Sequence, residues 1–239
     1  MSIVPQISSP TLRREPHEEL HNGDEMTQPE FHRIYQRMPK EFKAELIGGI
    51  VYVSPPVGQR HGVMHMPLST VLFTFEGHTP GVESADNTTI VLGTEGQPQP
   101  DAYVRILPSH GGQSRNTSDG AYTQGPPELV IEIAHATRAI DFHRKRKDYT
   151  RYGVLEYLVL NLEDLTLHRF DLKADKELPP GADGIVRVKT FPGLWLNPPA
   201  LFARDYHGLM ATLQQGLASP EHATFAQRLA AAGPAKPKT

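Results

Sequence analysis

The sequence predicts a mixed α/β (α+β) fold, and three observations carry that reading. Short β-prone runs alternate with segments of helical spacing, and 22 prolines and 20 glycines separate them without forming a low-complexity block. The 239 residues, 38% of them hydrophobic, suffice for one core-bearing domain. No apolar stretch approaches the roughly 18 residues of a membrane span. The longest, around Val71 to Phe75, is soon broken by Glu76 and His78, so no membrane partner is expected. The opening residues lack an apolar signal core and the chain has no cysteine, which removes disulfides and thiolate chemistry and points to the cytoplasm. With 24 basic and 27 acidic residues the net charge is −3, so any contact with nucleic acid must be local.

Residues 1–25 are polar and aperiodic and are expected to form a disordered tail, followed by a single domain over 26–217 and by a C-terminal helix with a flexible tail over 218–239. Thr27-Gln28-Pro29-Glu30 has the pattern of a capping box, with Phe31, Ile34, Tyr35 and Met38 at helical spacing before Pro39 stops the helix. Phe42–Ile47 and Ile50–Val53 flank Gly48-Gly49, the signature of a tight hairpin whose turn needs positive φ. After Pro55-Pro56, the residues Met64, Leu68, Val71, Leu72 and Phe75 lie on one face of a helix that should cover a sheet.

Strands are predicted at Asn87–Leu92, Ala102–Leu107 and Leu129–Ala134, with a long loop over 108–127 between the last two. A helix from about Thr137 to Tyr152 ends at Gly153, a suitable left-handed cap. Strands at Leu155–Asn161, Leu165–Phe170 and Ile185–Lys189 follow, then a loop anchored by Trp195 and Leu196 and a surface helix over Leu201–Leu217.

The chemistry centres on three segments. Glu132 interrupts an apolar strand, where an unpaired charge would cost several kcal/mol, so it is protonated, paired, metal-bound or on an open face. Asp101 opens the strand expected to pair with it; alone it reads as turn chemistry after Pro100, and it gains meaning only beside Glu132. Adjacent strands about 4.8 Å apart can present two carboxylates to one divalent ion, and hard oxygen ligands favour Mg²⁺ or Mn²⁺. On the following helix Asp141, Lys145 and Tyr149 share a face; the structural alternative is a solvated amphipathic helix with a weak surface ion pair. Asp101, Glu132 and Lys145 thus supply the residue types of a metal-dependent phosphodiesterase. The local excess of positive charge from Arg138 to Arg151 makes Arg144, Arg146 and Lys147 candidates for contact with a phosphate backbone, and Arg115 in the long loop is another.

These segments, with Ala44-Glu45-Leu46-Ile47-Gly48-Gly49, Ser54-Pro55-Pro56, Arg60-His61 and Tyr152-Gly153-Val154-Leu155-Glu156-Tyr157, resemble the Uma-type bacterial family of restriction-endonuclease-like proteins, a branch of the PD-(D/E)XK nuclease superfamily. The resemblance runs from about Met26 to about Trp195. It implies a restriction-endonuclease-like central mixed sheet flanked by helices, an Mg²⁺-dependent endonuclease acting on nucleic acid, with DNA favoured, and a catalytic set of Asp101, Glu132 and Lys145. Ala134 stands where the superfamily has its usual lysine, and Lys145 takes the family's helix position. The resemblance also brings in Glu45 as an outer metal or water ligand, against a polar residue on an exposed hairpin face. His135-Ala136-Thr137 departs from the turn common in relatives.

Two other readings compete. His61 and His65 have the spacing of zinc ligands but lack a third; His61 alternatively approaches the acidic site. A non-catalytic nucleic-acid-binding or assembly module on the same fold is the second, disfavoured by the retained pair of acids. A homodimer is expected by analogy with enzymes that cut two strands.

Overall fold

The computed structural model describes residues 18–134 and 140–234. In chain order its elements are α1 (Gln28–Tyr35), a hairpin of β1 (Ala44–Ile47) and β2 (Ile50–Val53), α2 (Gln59–Gly77), β3 (Val82–Asp86), β4 (Ile90–Val91), β5 (Ala102–Ile106), β6 (Arg115–Asn116), β7 (Thr123–Gln124) and β8 (Leu129–Ala134). A π-helical segment, Ile140–Lys145, then runs into α3 (Arg146–Tyr152). After it come β9 (Glu156–Asn161), β10 (Thr166–Asp171), β11 (Lys176–Leu178), β12 (Val186–Arg187), β13 (Trp195–Leu196), α4 (Pro198–Ala203), α5 (Tyr206–Leu217) and α6 (Pro220–Ala232).

β8 is buried at every position, as a strand apolar on both faces must be. It lies inside a six-stranded mixed sheet of order β11-β10-β9-β8-β5-β3. The neighbours are antiparallel except β8 and β9, which the segment containing α3 connects as a crossover. Alternation sends Leu129, Ile131 and Ile133 to one face, where Leu68, Val71, Leu72 and Phe75 of α2 pack with α4, α5 and α6. Val130 and Ala134 point to the other face, against Tyr103, Tyr149, Tyr157 and Phe170. Glu132 shares that second face by the same period of two. A third cluster joins α1 to the hairpin through Phe31, Ile34, Leu46 and Val51.

Several expectations change. Residues 18–25 are not a tail: Leu20 is buried, and Gly23 and Asp24 exchange backbone hydrogen bonds with Val51 at 2.8 Å. Residues 1–17 and 235–239 lie outside the described residues, as do 135–139 with the turn after Glu132. Thr27 starts α1, but its side chain makes no capping bond. β3 went unread because Val82-Glu83-Ser84-Ala85-Asp86 is weakly apolar, as suits an edge strand. The run at Asn87–Leu92 shortens to β4, which pairs in a small sheet with β7 and β6 drawn from the long loop. Trp195 and Leu196 form a strand with β12 rather than a loop anchor. The predicted surface helix is two helices, broken where Arg204 turns left-handed (φ 56°) and Asp205 caps α5; Leu209 and Leu213 are buried. No described helix is long and apolar enough to cross a membrane.

Candidate active site

Antiparallel pairing of Ala102 with Ile131 sets Asp101, one residue before β5, opposite Glu132 in β8. Gly48 and Gly49, at φ 59° and 77°, make the tight turn of the hairpin, and β1 presents Glu45 to the same place. Gly48 N donates to the Asp148 carboxylate, which fastens the hairpin to α3. Glu45 Oε1 accepts from Gln99 N at 2.7 Å and is therefore not an exposed hairpin residue.

Lys145 closes the set. Its Nζ lies 2.9 Å from Glu132 Oε1, 3.0 Å from Glu45 Oε1 and 3.6 Å from Asp141 Oδ1. The Lys145 side chain is 6% exposed and that of Glu132 4%, so the surface-pair alternative fails. Tyr149 OH donates to the same Glu132 Oε1 at 2.9 Å and so braces the glutamate. The helical spacing of Asp141, Lys145 and Tyr149 thus did place one face on the acids, although the turn carrying Asp141 and Lys145 is π-helical, a widening often found at functional sites.

Asp101 is held on both oxygens. His61 Nε2 approaches Oδ1 to 3.0 Å and Ile133 N donates to Oδ2 at 2.6 Å. His65 Nε2 stands 2.8 Å from the Asp101 carbonyl and 2.9 Å from Asp86 Oδ1. Both histidines are therefore committed to aspartates, with ring centroids 6.1 Å apart, and among the described residues no group of three His, Asp or Glu side chains forms a ready metal cage.

The electrostatics follow from these contacts. Burial alone lifts the Asp101 carboxyl, but the His61 hydrogen bond and charge, with the Ile133 amide, bring it below its usual range. The bond to Asp101 raises His61 despite partial burial. Burial pushes Glu132 well up, opposed by Lys145 and reinforced by Asp101, Asp141 and Glu45. For Lys145 burial acts downward, yet Glu132, Glu45 and Asp141 overcome it and hold the ammonium well above its ordinary value. Burial likewise lifts the Tyr149 phenol, so it stays a donor.

The group lies in a cleft of about 310 Å³ whose walls include Lys43, the Ser54–Gly58 segment, Arg60, Asn87 and Gln99. Sequence reasoning missed Lys43 and Asn87; Lys43 sits two residues before Glu45 at the mouth of β1, the period that puts both on one strand face. The predicted backbone contacts are not brought to the cleft. Arg146 pairs with Asp175 Oδ1 at 2.6 Å and lies 4.3 Å from the Phe170 ring centroid, while Arg115, Arg144 and Lys147 are exposed elsewhere. His135 lies outside the described residues.

A mixed sheet that brings two opposed strand carboxylates and a helix lysine into one cleft defines a protein of the nuclease-like class. Residues 28–199 match the Uma2 family, described as "Putative restriction endonuclease", and the chain belongs to that family. The fold is similar to that of a solved protein described as "a putative nuclease belonging to DUF820 from Anabaena variabilis ATCC 29413", with a TM-score of 0.58 and 15% identity over 72% of this chain and 96% of that one. Among curated proteins none matches. The family supports a nuclease-like function; the solved neighbour supports the fold.

Proposed function

We propose that the chain is a divalent-metal-dependent endonuclease that hydrolyses DNA phosphodiester bonds, with Asp101 and Glu132 holding Mg²⁺ or Mn²⁺. The observation that carries this reading is the meeting of Asp101, Glu132 and Lys145 from three elements in one cleft. The donor set suits a hard cation. Mg²⁺ takes one or two carboxylates and keeps several waters, so two opposed acids need no third protein ligand. Burial drives Glu132 up, and Asp101, Asp141 and Glu45 add to it because the four acids outnumber the cations Lys145 and His61 that face them. Both donors to Glu132 meet at Oε1, so Oε2 accepts no hydrogen bond from the described residues.

When bound there, a divalent ion supplies Lewis acidity toward a phosphate oxygen and toward water. The protein's own groups do the rest. Asp101 stays ionised, and His61 fixes its rotamer from one side while the Ile133 amide fixes the other. Lys145 keeps its proton at neutral pH, so it acts as a cation and donor beside the attacking water or the charge developing on the phosphate, not as the base. Glu45 and Asp141 hold that ammonium in place, and Tyr149 holds the Glu132 carboxylate. A two-fold dimer suits cleavage of two strands.

The test is nicking of supercoiled plasmid and of single-stranded DNA with Mg²⁺ or Mn²⁺, comparing wild type, Asp101→Asn and a chelator control. Cleavage by wild type alone, lost with chelator, is expected. Equal inactivity of both, with no metal bound by calorimetry, would replace the enzyme with a binding module.

A further inference from the structure

We infer that Lys43 and Arg60 are the substrate-positioning cations of this cleft, gripping phosphates of the nucleic-acid strand on either side of the bond to be cut. The inference rests on the nuclease reading and gives a role to Lys43, which the sequence pattern did not single out, and to Arg60, which it marked without one.

The charges in the cleft are sorted by depth. Buried on its floor are Glu132, Asp141 and Lys145, with Glu45 and Asp101 nearly so at 12% and 14% side-chain exposure. At its mouth Lys43 and Arg60 are both exposed. Such cations beside an acidic cluster ordinarily swing in and pair with it. Here Lys145 already occupies the acids, and neither Lys43 nor Arg60 has an ion-pair partner among the described residues. They are left to face whatever enters.

They are also carried by separate elements. Ser54 N donates to the Lys43 carbonyl at 2.9 Å, which puts Lys43 at the open end of the hairpin, on the strand face of Glu45. Arg60 lies in the first turn of α2 beside His61, whose ring reaches Asp101. One cation is thus carried by the element that presents Glu45 and the other by the element that orients Asp101. A polyanion laid across the floor meets both positive charges at the mouth, while its reacting phosphate sits over the acids. That order suits a phosphodiester chain better than a lone small anion, which a single cation would satisfy.

Binding is measured with a fluorescein-labelled 20-nucleotide single strand and with its duplex, in chelator, across about 50 to 200 mM salt, on full-length wild type, Lys43→Ala, Arg60→Ala, the double variant, and Lys147→Ala as an outside control. Each lost phosphate contact flattens the log K against log salt slope by about 0.7 to 0.9, so over that salt range the double variant should lose roughly tenfold less affinity than wild type. Lys43→Arg and Arg60→Lys should restore the slope. Melting temperatures should not move, because both side chains are exposed. In cleavage, the two alanine variants should raise KM and leave saturated kcat near wild type. If wild type binds with a steep slope that Lys43→Ala and Arg60→Ala leave unchanged, the inference is wrong and the nuclease reading stands. If wild type binds neither probe at low salt, in chelator or with Ca²⁺ added, the nuclease reading fails and takes the inference with it.

Discussion

Replacing Lys145 with methionine keeps an unbranched apolar stem as far as the ε-carbon and removes the cation on which Glu132, Glu45 and Asp141 converge at 2.9, 3.0 and 3.6 Å. A unit pair about 4 Å apart is worth about 4 kcal/mol at an effective dielectric near 20. The gross attraction of three acids is larger, but desolvation of the ammonium and the carboxylates offsets much of it. Removing one member of a buried pair typically costs about 3–5 kcal/mol, because the remaining charge is stranded. Glu132 is already driven toward its protonated form, so it relaxes by taking up a proton and the loss should fall near 3 kcal/mol. That is a large share of the roughly 5–15 kcal/mol that holds a domain together. Urea unfolding in chelator at pH 7.5 measures it as a lower midpoint at unchanged slope. The deficit should shrink at pH 5, where the stranded acids protonate more readily, and the variant should not cut plasmid. A loss under about 1 kcal/mol, the size of a surface pair, would refute the buried-cluster argument. Cleavage at the wild-type rate would remove Lys145 from the chemistry.

Other outcomes follow from the same geometry. Glu132→Gln keeps an acceptor for Lys145 and Tyr149 but relieves the burial of a charge, so melting in chelator should be unchanged or higher while calorimetric Mg²⁺ binding and cleavage disappear; a variant that still binds Mg²⁺ as wild type does would exclude Glu132 as a ligand. Tyr149→Phe deletes the 2.9 Å bond to Glu132 and should cost about 1.5–3 kcal/mol with a smaller loss of cleavage than the lysine variant; equal losses would mean Tyr149 touches the reaction itself. Glu128, away from the cleft, accepts from Ile106 N and Gln113 N at 2.8 and 3.0 Å, and burial raises its carboxyl. A raised folded-state value means the native state binds the extra proton, so stability falls as pH rises from the unfolded value through the folded one. Melting curves of Glu128→Gln against wild type should therefore shift in favour of glutamine as pH rises above the ordinary glutamate value of about 4.3, and a shift the other way would reverse the assigned direction.

Much of this arrangement was legible in the residues because it is local. Glu132 in an apolar run, Asp101 before a strand and the i, i+4, i+8 set of Asp141, Lys145 and Tyr149 are written in periods of two and 3.6, and those periods place side chains on faces. What the residues did not reveal is which face is covered. Glu45 on a hairpin reads as solvated until Gln99 and Lys145 close over it. Arg146 reads as a phosphate ligand until β10 and the following turn bring Phe170 and Asp175 to it. Lys43 carries no signal in its own segment and Arg60 none that says what it faces, since their place at one cleft depends on how the hairpin and α2 dock on the sheet.

The sequence by itself determined the class of the fold and the family and marked Asp101, Glu132 and Lys145 as candidates, because patterning, turn glycines and charge inside an apolar strand act over a few neighbouring positions. Only the tertiary structure decided that Glu132, Lys145 and Tyr149 meet on one oxygen, that His61 reaches Asp101 Oδ1, and that the free cations stand at the mouth. Those outcomes depend on distances between elements far apart in the chain, and burial, which sets the strength of every charge in the cleft, exists only once those elements have packed.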